Sequence, residues 1–281
     1  MFPQSISLAT TAQSSLSASN ADAEIRRPRP LVHEGRGETN GLLEREDRPL
    51  ILRNGHTHRG RIVATHGGVT LENAMVLKDA LVRRQDPIAI RTEDGPVTLC
   101  KGASLEGSIC TERGHIELDH CMIAGDVTSE RGDVGLGYGV HIDGKLTLQA
   151  LGLRVGARSS VKEIVMRIRH SAPSGAQQEL TLGDGTELDV LHVEGSALRL
   201  DLGRDAYIRL AQLDTLGRTI ELRHLRGPLQ CTIGAPRPTT SASGDARGLA
   251  GGSPVLARSP SKPATAPAYT YDVEIISDGE D

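Results

Sequence analysis

Tryptophan is absent from this chain of 281 residues, phenylalanine occurs once and tyrosine four times. A globule centred on packed aromatic rings is therefore excluded, and the core must be built from Leu, Ile, Val and Ala. Lysine is also scarce, at five against 27 arginines, but the formal net charge is only −4. A charge that small gives no large field to draw in nucleic acid or an anionic membrane, so neither is expected as a partner. No apolar run approaches the length that spans a bilayer, and no secretory signal peptide is recognisable. The four cysteines, Cys100, Cys110, Cys121 and Cys231, form no CxxC pair. They are expected to be reduced, inert thiols rather than zinc ligands or a redox couple.

What the chain has in quantity is glycine (32) and proline (14), the residues of turns. They punctuate a repeat. Residues 96–114 read Pro-Val-Thr-Leu-Cys-Lys-Gly-Ala-Ser-Leu-Glu-Gly-Ser-Ile-Cys-Thr-Glu-Arg-Gly, and residues 115–132 repeat that pattern with one residue fewer. A third copy places Val134, Leu136, Ile142, Gly144 and Leu146 at the same points. Each unit is an apolar-x-apolar pair, a later apolar position, a Gly-x-apolar step and a polar turn that ends in Gly. The second residue of the opening pair marks the copies as Leu52, Leu71, Leu99, Leu118, Leu136, Val155, Leu182, Leu202 and Leu222. Successive markers lie 18 to 20 residues apart, except for intervals of 28 and 27, each one unit plus a short insertion. The insertions fall near Arg83–Pro87 and His170–Gln178.

Segments this short cannot bury themselves, but stacked coils align equivalent residues into aliphatic columns with hydrogen bonds running from coil to coil. The expected fold is all-β: a single-stranded right-handed parallel β-helix, or solenoid, of about nine coils of 18–20 residues, with disordered termini. A left-handed hexapeptide helix needs an apolar residue every sixth position; Leu99 to Leu105 fits, whereas Thr111 and Glu117 break the rhythm. Gly107, Gly125 and Gly144 are expected to point inward and leave room in a narrow core. The corner glycines Gly95, Gly114 and Gly132 are expected to take strained dihedrals.

Over residues 96–147 the chain resembles the bactofilins, bacterial proteins whose right-handed β-helix polymerises into filaments. The resemblance is carried by Ala103-Ser104-Leu105-Glu106-Gly107-Ser108-Ile109 and its copy Met122-Ile123-Ala124-Gly125-Asp126-Val127. It implies a non-enzymatic scaffold in a bacterial cytoplasm whose partner is a second copy of itself, stacked end to end.

The flanks divide into a leader over 1–48, the solenoid over 49–234, a Pro/Ser/Gly linker over 235–268 and an acidic motif over 269–281. The leader is Ser-rich with no acidic residue before Asp22. It resembles the export leaders of bacterial type III effectors, which implies an alternative: secretion into a host cell and binding of a host protein. The C-terminal motif resembles SUMO-interacting motifs, which add a strand to a partner's sheet. Val273, Ile275 and Ile276 would then fill an apolar groove, with Asp278, Glu280 and Asp281 against a basic rim, so a SUMO-like protein is the alternative partner.

No catalytic, cofactor or metal site is expected. Solenoid glycan-active enzymes need clustered carboxylates and aromatic platforms for sugar rings, and the acids here are scattered among turns. His56 with His58, and His115 with His120, lack thiolate or carboxylate companions at metal-ligand spacing and are read as solvated surface histidines. Arg131-Gly132-Asp133 spells an integrin-binding tripeptide, but it sits at a repeat corner that accounts for its glycine. Leu198-x-Leu200-x-Leu202 matches a co-repressor recruitment motif, but those leucines belong to the buried ladder.

Overall fold

A computed structural model describes residues 29–78, 87–168, 176–215 and 218–234. Within them the chain forms 23 strands and no helix. The strands stack as a parallel β-solenoid of about nine turns, with one ladder of ten strands and a second of thirteen. In the middle coils the second ladder splits into two strips. Thr57–Ala64 pairs with both Met75–Leu77 and Ile88–Thr92, and His141–Gln149 pairs with both Cys121–Ala124 and Val127–Ser129.

The alternation read from the sequence is the register of the first ladder. Leu52, Leu71, Leu99, Leu118, Leu136, Val155, Leu182 and Leu202 pair in succession, and all are at most 4 % exposed. A second column runs Leu43, Ile62, Ile90, Ile109, Val127, Leu146, Ile164, Leu191 and Ala211. A third runs Val76, Leu105, Ile123, Ile142, Val161, Leu188 and Ile208. The three columns enclose one aliphatic core. The leucines of 198–202 are buried in it, as the ladder requires.

Both long intervals leave the register intact: Leu71 pairs directly with Leu99, and Val155 with Leu182. Most of each expected insertion lies outside the described residues. Gln177 and Gln178, however, already belong to a strand, and Gln178 is fully buried with its Nε2 donating to the Ala150 carbonyl at 3.3 Å.

The solenoid is displaced by one coil from its expected frame. It begins not at residue 49 but with β1 (Leu31–Glu34) and β2 (Glu38–Arg45), which pair in parallel with β3 (Leu50–Arg53) and β4 (Thr57–Ala64). Hydropathy hid this coil because two of its inward positions, His33 and Thr39, are polar and break the alternation between Leu31 and Leu43. At the other end Leu222 is not a ninth marker. It lies in Arg218–Arg226, which runs antiparallel to Tyr207–Thr215 and pairs Leu222 with Ala211. The residue opposite Leu202 is instead Leu229, on an antiparallel strand. Alternation in Ile220-x-Leu222 looks the same whichever way a strand runs, so periodicity could not reveal the reversal.

The glycines do a different job from the expected one. Gly95, Gly114 and Gly132 have no positive φ. A Cβ on each would overlap the backbone carbonyl of the preceding corner, on Gly67, Gly95 and Gly114 respectively. The stacked corners approach too closely for any side chain. Gly125 and Gly144 likewise leave room for the backbone of the coil before, not for core side chains. Positive φ falls on another corner, after the strands of the first ladder, at Asn54, Asn73, Lys101, His120, Arg158 and Asp205 and at the glycines Gly35, Gly139 and Gly185. Thr111 is fully buried despite its hydroxyl, and Glu117 faces solvent.

Candidate functional site

The residues expected to bind a partner, Val273, Ile275, Ile276, Asp278, Glu280 and Asp281, lie outside the described residues. What the described residues offer is two ends, shallow open grooves and an outer surface of coil-to-coil ion pairs. Arg53–Glu34 and Lys145–Glu163, each at 2.8 Å, and Arg167–Glu194 at 3.1 Å are typical of that surface. Exposed pairs of this kind are worth about 0–1 kcal/mol apiece and define no site.

The N-terminal end is chemically distinct. At inward positions where later coils place Leu, Ile or Val, the first two coils place His33 opposite Leu52, Thr39 opposite His58, and His58 opposite Val76. His56 precedes β4 and is 4 % exposed; His58 is fully buried. They are therefore interior groups and not the surface histidines expected from their spacing. Their rings fit because the coil above supplies Gly37, on which a Cβ would stand only 3.2 Å from His56 Nδ1. Thr39 Oγ1 lies 3.1 Å from His56 Nε2 and 3.0 Å from His58 Nδ1. A hydroxyl can donate to one ring and accept from the other, so the three groups form a chain that is satisfied when both imidazoles are neutral. His33 stacks obliquely over His56 with ring centroids 5.2 Å apart.

The remaining nitrogens, His33 Nε2, His56 Nδ1 and His58 Nε2, are buried without a hydrogen-bond partner among the described residues. Burial pushes the pKa of His56 down, and the neighbouring His33 adds to it. Burial does the same to His58, helped by His56 and His33 and opposed by the backbone of Arg61 and Thr39. Among the described residues no three His, Cys, Asp or Glu side chains converge as a metal site. The sequence shows the two histidines but not their burial, because in the coil that covers them the inward His33 and Thr39 interrupt the apolar pattern.

His115 and His120 remain on the surface, each beside its own carboxylate: Glu117 at 3.8 Å and Asp119 at 3.0 Å. Asp119 in turn accepts the Tyr138 N–H at 2.9 Å, tying one corner to the next. All four cysteines are free thiols. Burial raises each pKa, that of Cys121 to about 12.

On the outside of the first ladder Gly135 leaves a shallow groove of about 470 Å³ over Leu99, Leu118 and Leu136, bordered by Glu117, Asp119 and Arg154. Gly135 has open space where its side chain would be. The groove is broad and lacks the converging polar groups that orient a small ligand.

The two ends differ in how their backbone is covered. Among the described residues β1 and β2 each pair on one side only, which leaves their outer edges open at the N-terminal end. Val32 and Leu42 are exposed there, Leu42 to 59 %. At the C-terminal end the antiparallel strands Arg218–Arg226 and Leu229–Ile233 are outermost, and their Ile220, Leu222, Leu229 and Ile233 are half-buried. Among the described residues no helix covers either end, and no helix is long and apolar enough to cross a membrane. Compared with known families, curated proteins and solved structures, the chain matches no family model and no protein or structure significantly.

Proposed function

We propose that this chain is a non-enzymatic β-helix scaffold that associates end to end with further copies of itself, as the resemblance of residues 96–147 to bactofilins implies. The observation that carries the reading is the edge of β1 and β2, which no other described strand covers, beside the exposed Leu42. An uncovered strand edge is a template for another strand, and solenoids that stay monomeric usually blunt it with a cap. Sedimentation of the full chain over a concentration series tests this. A sedimentation coefficient that rises with concentration is expected, and a strict monomer throughout would remove the reading.

The alternative, an exported effector that captures a SUMO-like host protein, rests on the Val273–Ile276 segment and the Ser-rich leader of the sequence. It requires binding that depends on Val273, Ile275 and Ile276 and is indifferent to the solenoid ends.

A further inference from the structure

The histidines of the first two coils have no part in stacking, and their placement calls for its own account. We propose that the first coil, residues 31–48, is an acid-released cap: protonation of His56 and His58 undocks β1 and β2 and uncovers the apolar edge formed by β3 and β4.

The geometry supplies the trigger. The His56–Thr39–His58 chain is complete with one proton on each ring, Thr39 accepting from one imidazole and donating to the other, so the charge of a second proton falls on the buried far side of the ring. A second proton on His56 adds a buried donor at Nδ1, which has no partner among the described residues; at His58, burial and the neighbouring histidines outweigh the backbone of Arg61 and Thr39, which favours its charged form. A buried charge without a counter-charge is strongly disfavoured, and the described residues around the two rings offer none. From β1 comes His33, and from the turn after it Arg36, packed near Gly55. β4 contributes Arg61, and the strand Met75–Leu77 contributes Val76. The nearby carboxylates are engaged elsewhere on the surface: Glu34 with Arg53 and Asn54, Glu38 with Arg59, and Glu72 with Lys101.

The geometry also makes the release local. Among the described residues β1 and β2 are held by one neighbouring strand each, and Leu31 and Leu43 are the partly buried apolar side chains they add to the core. Below them the register passes to Leu50, Leu52 and Ile62, all fully buried and backed by every later coil. Undocking hydrates both imidazoles at once, because Thr39 and Gly37 leave together with β2.

The pH window follows from the depressed values. In the released state both histidines titrate near the ordinary value of about 6.5. The docked coil resists protonation until lower pH. Above about 6.5 both states are neutral and docking is unaffected; as pH falls below it the released state binds more protons, and docking weakens. Each depressed histidine shifts the balance up to about tenfold per pH unit toward release, until the pH reaches its docked pKa. That acid promotes association through the newly exposed edge rests on the self-assembly reading above; the release itself does not.

Hydrogen exchange of the full chain, read by mass spectrometry at pH 7.5 and 5.5 and corrected for intrinsic rates, separates the two. Protection of residues 31–48 should fall by about tenfold or more at pH 5.5, while residues 97–136 stay unchanged. The double variant His56→Leu/His58→Leu should hold 31–48 equally protected at both values. Unchanged protection of 31–48 in the natural chain, or equal loss in the double variant, overturns the proposal. Should the double variant not fold, imidazole titration by NMR in the natural chain decides. Midpoints of His56 and His58 below about 6.5, with loss of 31–48 protection over the same range, support release; ordinary midpoints with 31–48 still protected overturn it. A cap that releases in acid while sedimentation stays monomeric would sink self-assembly and leave the switch standing.

Discussion

Leu118 sits at the centre of the first ladder, paired on one side with Leu99 and on the other with Leu136, and is 1 % exposed. Truncation to Ala removes three buried carbons and leaves a void between two leucines that cannot move toward each other. Their strands are fixed at one strand spacing, about 4.8 Å, by hydrogen bonds to the coils on either side. Relaxation is therefore limited, and Leu118→Ala should cost about 3–4 kcal/mol, in the middle to upper part of the range for such changes. For an ordered region of this size that is a fall in melting temperature of about 6–16 °C. Leu118→Asp should cost more than Ala, because the carboxylate adds an unpaired charge to an aliphatic column. Thermal denaturation followed by circular dichroism reads both. A Leu118→Ala change below about 1 kcal/mol, or an Asp variant no worse than Ala, would refute enclosure of this column.

Gly114→Ala should destabilise by about 1–3 kcal/mol although it adds a single methyl, because the methyl meets the backbone carbonyl of Gly95 and not a yielding side chain; a melt equal to that of the natural chain would contradict the stacked corners. Cys121, with its pKa near 12, should be almost wholly thiol at pH 8, with roughly one part in ten thousand as thiolate. Alkylation of the native chain followed by peptide mapping should therefore spare Cys121 until the core unfolds, and ready modification would show it to be accessible. Replacing Val273, Ile275 and Ile276 together by Ala should leave the melt of the solenoid unchanged while abolishing any capture of a SUMO-like protein. A lowered melt would instead mean that this segment docks on the solenoid.

The middle of the fold was legible because its side chains obey two simultaneous rules. Inward positions from Leu52 to Leu202 are aliphatic at near-constant spacing, and the corners between them are short and glycine-bearing. Where only one rule held, the reading failed. Glu38–Arg45 has the right length, the glycine and an inward Leu43, but the inward Thr39 and the His33 of the strand before it break the apolar alternation, so the pattern does not separate the first coil from a leader. Arg218–Arg226 has the apolar alternation, but direction is not encoded in alternation, so a reversed strand passed for a coil. The glycine corners were placed correctly and explained wrongly. A sequence shows where glycine falls, and only the stacked backbone shows that close approach, not dihedral freedom, demands it at Gly114. The histidine cluster is half visible in the sequence, since His56 and His58 stand out by their spacing but their burial depends on a coil whose apolar alternation is broken.

End-to-end association differs from every lateral alternative in the shape it produces, and solution X-ray scattering at neutral pH over a concentration series measures that shape directly. Ten strands in the first ladder make a solenoid about 48 Å long at about 4.8 Å per strand. The account predicts particles that lengthen with concentration in increments of about that length while the radius of gyration of the cross-section stays constant. A length that never changes, or a cross-section that grows along with the mass, would contradict it.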